Sequence, residues 1–196
     1  MMNRRHAPRA IPTALLLAAT LALTACERKP ATSDDASAPP SQPAVETATR
    51  FHETLARVRP SGAPTAAQLA EMSPLLSAEF GALLQRADAS RAAAREAAPN
   101  EKPPFTDGDM FTSLFEGPTA FTVGTPASTR PDEWRVPVAL EHAPAGGTPT
   151  SWTDTLVVRL QDGRAVVADV RFGGTWDFAV KGSLVGVLKA ELGEGR

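Results

Sequence analysis

Apolar positions in this chain recur first at helical and then at strand spacing. Over residues 45–58, Phe51, Leu55 and Val58 fall on one side of a helix, with Arg50, Glu53, Thr54 and Arg57 on the other. Pro60-Ser61-Gly62 stops it. Thr65-Ala66-Ala67-Gln68 has the pattern of a capping box. Ser73-Pro74 is a second helix start, and Ser77 offers a restart. Over 74–98, Leu76, Phe80, Leu83, Leu84 and Ala87 make one stripe. The alanine-rich half, 87–98, favours helix but has little to bury, so it is predicted to protrude or fray before Pro99. Prolines and glycines over 100–117 argue against regular structure. Phe105, Met110, Phe111, Leu114 and Phe115 are nevertheless too apolar for a free loop, and a packed loop with a short helical turn at 111–115 is predicted.

Alternation takes over after that. Strands are predicted at 119–125 and 134–142, with Pro137 requiring an edge position or a bulge. The strongest signal is the hairpin over 151–172, with its turn at Asp162-Gly163. A two-residue loop would pair Leu156 with Asp169 and scatter apolar residues over both faces. A three-residue loop, Gln161-Asp162-Gly163 with a glycine bulge, sorts them better. One face then carries Trp152, Leu156, Val158, Leu160, Val166, Ala168, Val170 and Phe172. The other carries Thr153, Thr155, Val157, Arg159, Ala165, Val167, Asp169 and Arg171. After Gly173-Gly174, Trp176, Phe178 and Val180 are read as a brief inward alternation, and 183–192 as a last helix. Helices followed by consecutive strands make the fold class α+β: N-terminal helices packed on a curved antiparallel sheet of about four strands.

Composition adds an address. The chain of 196 residues has a formal charge of −2; without Arg4, Arg5 and Arg9 of the first 25 residues the net becomes −5. There is no basic stripe, which argues against nucleic acid as a partner. Those arginines, the apolar run 11–23 and a small-residue end read as a targeting segment over 1–25. The apolar run is too short for a membrane span. Leu23-Thr24-Ala25-Cys26 resembles the lipobox of bacterial lipoproteins. The resemblance implies cleavage before Cys26, acylation of that cysteine by palmitate-type chains, and anchoring to membrane lipid. Glu27, rather than aspartate, follows it, which by resemblance to Gram-negative sorting implies the inner leaflet of the outer membrane, facing the periplasm. Residues 26–44, rich in Pro, Ser, Ala and charge, read as a disordered tether, 45–192 as one domain and 193–196 as a tail.

Leu75-Leu76-Ser77, Asp107-Gly108-Asp109, Ser113-Leu114-Phe115-Glu116-Gly117 and Val167-Ala168-Asp169-Val170 resemble a family of bacterial envelope lipoproteins of unknown function. That family has the cone-shaped α+β fold of the nuclear-transport-factor-like superfamily. The resemblance implies a fold and a location, and no chemistry.

Candidate chemistry is sparse. His52 lies at the border of the first helix's apolar stripe and reads as a surface or packed histidine before a ligand or base. His142 closes a strand. The histidine and cysteine spacings match no metal site, so no metal and no cofactor is expected. Asp107-Gly108-Asp109 reads as a turn with a helix-capping aspartate before Met110 rather than as a cation loop. Ser113 and Ser183 lack a nucleophile-elbow context, and no catalytic set is assigned. Two functional readings follow, beside that of a structural lipoprotein that matters only by occupying the membrane surface. The first is a noncatalytic interaction module of the envelope, binding an envelope protein or a second copy through Thr153, Val157, Arg159, Val167, Asp169 and Arg171. The second is a small-ligand or enzyme domain using the interior of the cone, with His52, Trp152, Phe172 and Trp176 as pocket candidates. The second requires an open cavity lined by His52 or by an aspartate of shifted ionisation.

Overall fold

The structure is a computed structural model that describes residues 41–194. The targeting segment, Cys26 and the tether as far as residue 40 lie outside the described residues. Helix α1 spans Gln42–Val58, so it begins inside the predicted tether, with Pro43 in its first turn. Its inward side carries Ala44, Ala48, Phe51 and Leu55, all buried. Arg59 ends it in the left-handed region, its N–H donating to the Leu55 carbonyl. Helix α2 (Ala66–Met72) opens with the expected reciprocal pair between Thr65 and Gln68. A 3-10 turn over Ser73–Leu75 follows. Ser77 then caps α3, which spans Ala78–Ala97. The alanine-rich half of α3 stays helical. Arg91 fastens it, donating to the Ala63 carbonyl at 2.7 Å and pairing with Asp88.

Five strands form one antiparallel sheet: β1 (Ala120–Val123), β2 (Ala127–Arg130), β3 (Glu133–His142), β4 (Thr150–Gln161) and β5 (Arg164–Arg171). The order is β1-β3-β4-β5, with β2 also pairing β3. β1 pairs with the later half of β3 and β2 with its start. Pro137 is therefore flanked on both sides, yet its missing donor costs no ladder bond. Its carbonyl accepts from Gly124 N at 2.8 Å, just past the end of β1. In an extended residue N–H and C=O point the same way, so the absent N–H faces the break between β1 and β2. Strand β2, wholly exposed, had no alternating pattern to announce it.

The hairpin register differs from the predicted one. Gln161 pairs with Arg164, leaving Asp162-Gly163 as a two-residue loop. Both have positive φ, 52° and 74°, as a type I′ turn requires. Ala168 is an extra residue on β5: Val158 pairs with Val167, and Val157 with Asp169. Beyond this bulge Leu156 pairs with Val170, where a two-residue loop without a bulge would set it against Asp169. Val167 thus belongs to the core face. Val166 belongs to the other, where it and Val157 are still buried.

The inner face of the sheet (Trp134, Val136, Val138, Leu140, Leu156, Val158, Val167, Val170) meets Phe51, Met72, Phe80, Leu83 and Leu84 from the helices. Helix α4 (Leu184–Glu191) adds Leu184 and Leu188. Residues 172–183 form a loop rather than a strand, with Phe178 83 % exposed. No helix among the described residues is long and apolar enough to cross a membrane.

Candidate functional site

The segment 105–119 crosses the end of the domain as a strap of turns, with no helix at 111–115. Four anchors hold it. Gly62 N donates to the Gly108 carbonyl at 2.7 Å, and Ala63 N to that of Phe105 at 2.9 Å. Phe111 and Leu114 insert into the core, Phe111 edge-on to Phe51. His142 Nδ1 lies 2.7 Å from the Gly117 carbonyl. The fourth anchor is the carboxylate of Asp154 on β4, 2 % exposed. It accepts from Ser113 N at 2.8 Å, from Ser113 Oγ, from Trp152 Nε1 at 3.0 Å and from Gly173 N at 2.8 Å. Ser113 Oγ in turn accepts from Gly174 N at 2.9 Å. A buried carboxylate needs donors around it, and here they join strap, sheet and the loop after β5. The signal for Asp154 in the sequence is its place on β4 in phase with Trp152 and Leu156, a polar residue at an inward position.

Between the strap and the end of α1 lies a cleft of about 730 Å³. One wall is His52, Leu55 and Ala56 from α1, with Arg59, Pro60 and Ser61 after it; the other is strap residues with Phe121 of β1 and His142 of β3. His52 is 3 % exposed, stacked on Phe121 at 5.1 Å and edge-on to Phe51. Its Nε2 is buried and has no hydrogen-bond partner. Burial pushes its pKa down to about 4, so the ring is neutral at physiological pH.

Asp109 is the second perturbed group. Its Oδ1 accepts from Phe111 N at 2.7 Å, so it caps a turn of the strap where the sequence suggested the start of a helix. Its Oδ2 lies against Gly117, where φ is 73° and a Cβ would sit 2.6 Å from that oxygen. Burial, opposed by the Phe111 N–H and aided by the charge of Asp154, raises its pKa to about 6. Asp107 faces outward and pairs with Lys102. Among the described residues no group of three His, Cys, Asp or Glu is placed to hold a metal ion.

The other candidates lie elsewhere. Trp152, buried, meets Trp176 edge-on at 5.8 Å, and neither they nor half-buried Phe172 line the cleft. Trp176 Nε1 is also buried without a partner. The predicted interaction face is largely occupied by the fold. Val157 and Val167 are buried. Asp169 Oδ1 accepts from Val185 N at 2.9 Å, capping α4. Arg159 reaches Glu79, which also holds Lys189 of α4. Thr153 and Arg171 stay exposed. A shallower groove of about 390 Å³ crosses β1, β3 and β4, where Glu141 is its one ionisable group. Comparison of the chain with protein-family models, with curated proteins and with solved structures gave no match.

Proposed function

We propose that this chain is a lipid-anchored domain of the bacterial envelope that binds a small ligand in the cleft between α1 and the 105–119 strap. Of the two readings the sequence left open, the geometry favours the second, without assigning a reaction. The observation that carries it is His52: a 97 % buried imidazole on a cleft wall, with a nitrogen that nothing in the domain satisfies. An orphaned buried polar atom costs on the order of 1–3 kcal/mol, and a ligand that satisfied it would recover that cost. The volume suits a small molecule, and the lining mixes apolar with polar side chains. Helices covering one face of an antiparallel sheet are compatible with a nuclear-transport-factor-like cone, and the lipobox around Cys26 supplies the anchor and the outer-membrane, periplasm-facing location.

The test is a fragment screen followed through backbone amide shifts. Binding fragments are expected to move the amides of Ala56, Gly117 and Phe121 together. Ala56→Trp, which puts a large ring into the cleft from an exposed helical position, should abolish those shifts. Shifts that survive the tryptophan would place binding elsewhere.

A further inference from the structure

Apart from Arg59 at the rim, the ionisable and ring groups left over in the cleft wall offer acceptors. Among the described residues, Asp109 Oδ2 and the Glu116 carboxylate have no hydrogen-bond donor. The Gly117 carbonyl only accepts, so His142 Nδ1 carries the proton there. His52, whose Nε2 is buried and unpartnered, stands in the same lining. Two aromatic faces complete the set: Phe121 under His52, and Phe115, 59 % exposed on the strap. Free acceptors and π faces together recognise a compact cation rich in donors.

We propose, resting on the reading of the cleft as a ligand site, that it takes a ligand with a protonated primary amine, held by Asp109 and Glu116 with the imidazoles and aromatic rings around it. One group opposes this. Arg59 stands exposed at the rim, its Nε spent on the Ala56 carbonyl at 3.1 Å and the rest of its guanidinium unpaired. It repels a bare amine and attracts an acid group, so the best ligand carries a carboxylate beside its ammonium.

The purified full-length protein would be titrated with butylamine, lysine, butyrate and butanol, read by the same amide shifts. Lysine is expected to bind tightest, then butylamine, with butyrate and butanol weaker than butylamine by about tenfold or more, as loss of a charge-assisted bond implies. Asp109→Asn keeps the bond from Phe111 N and should cost butylamine a similar factor, and Glu116→Gln somewhat less. Butylamine binding should weaken as pH falls through about 6, where Asp109 takes up its proton. Glu116, His142, Arg59 and His52 line the same cleft and Asp154 lies nearby, so the Asp109→Asn variant, which should lack this step, assigns it. Butyrate or butanol binding as well as butylamine overturns the amine assignment, as does an unchanged affinity in Asp109→Asn. If other fragments shift the cleft amides while both amines fail, the assignment falls and the cleft stands as a ligand site. If neither amines nor fragments shift them, the ligand reading falls as well.

Discussion

His52 and Asp109 pull the pH dependence of stability in opposite directions. The folded pKa of His52 is lowered, so between pH 6.5 and 4 the unfolded chain binds the proton that the folded chain refuses. Its contribution is present above pH 6.5 and is lost as pH falls toward 4. The folded pKa of Asp109 is raised, so between its ordinary value and about 6 the folded chain holds the extra proton, and that contribution is lost as pH rises. Each is on the order of 3 kcal/mol at full extent, and the two offset one another between pH 4 and 6. Removing either exposes the other. In urea titrations, His52→Leu should become more stable as pH falls from 6 to 4, and Asp109→Asn less stable over the same range. Parallel slopes in the two variants would contradict this assignment. Neither residue's role was legible from its own letter. A histidine beside Phe51 at a stripe's border reads as either surface or packed, and the stacking of Phe121 from a strand about seventy residues on decides for packed.

Elements were read well where a single period governs them. The stripe of α1, the capping box of α2, the Ser77 cap and the alternation in β3 and β4 carry their own evidence. The errors come where an element obeys two demands. Turn chemistry at Asp162-Gly163 asks for a two-residue loop, whereas the apolar pattern asks for a register such a loop cannot hold. One bulged residue, Ala168, meets both, and a pattern count has no means of placing a bulge. Strand β2 is held by pairing to β3 rather than by burial, so it has no pattern at all. The strap is the extreme case, fastened through Asp154 instead of by regular structure. Asp154→Ala should destabilise the domain by about 4 kcal/mol, because it orphans the Ser113, Trp152 and Gly173 donors together. Hydrogen exchange should show the amides of Ser113 and Gly173 losing protection first. A loss under 1 kcal/mol with both amides still protected would mean that the strap is held by packing alone.

At the scale of the whole molecule, a chain with a single cysteine forms no disulfide within itself, and its core has to keep it folded. That core is continuous: helices and sheet share one apolar cluster. The proposed anchoring is a separate matter, assigned to Cys26 before the domain. Cys26→Ser should move the protein from the membrane to the soluble periplasmic fraction while leaving its fold and its ligand shifts intact; continued sedimentation with membranes would rule out the acyl anchor.

Helix α1 begins beside the turn of the long hairpin, where Thr47 Oγ1 donates to the Ala165 carbonyl at 3.1 Å, and its far end borders the cleft. Seventeen residues at 1.5 Å each make the helix about 25 Å long, and the cleft borders its second half, from His52 on. The chain enters the domain at the other end of the helix, so under the anchoring proposed above a ligand is expected to reach the cleft from the aqueous space.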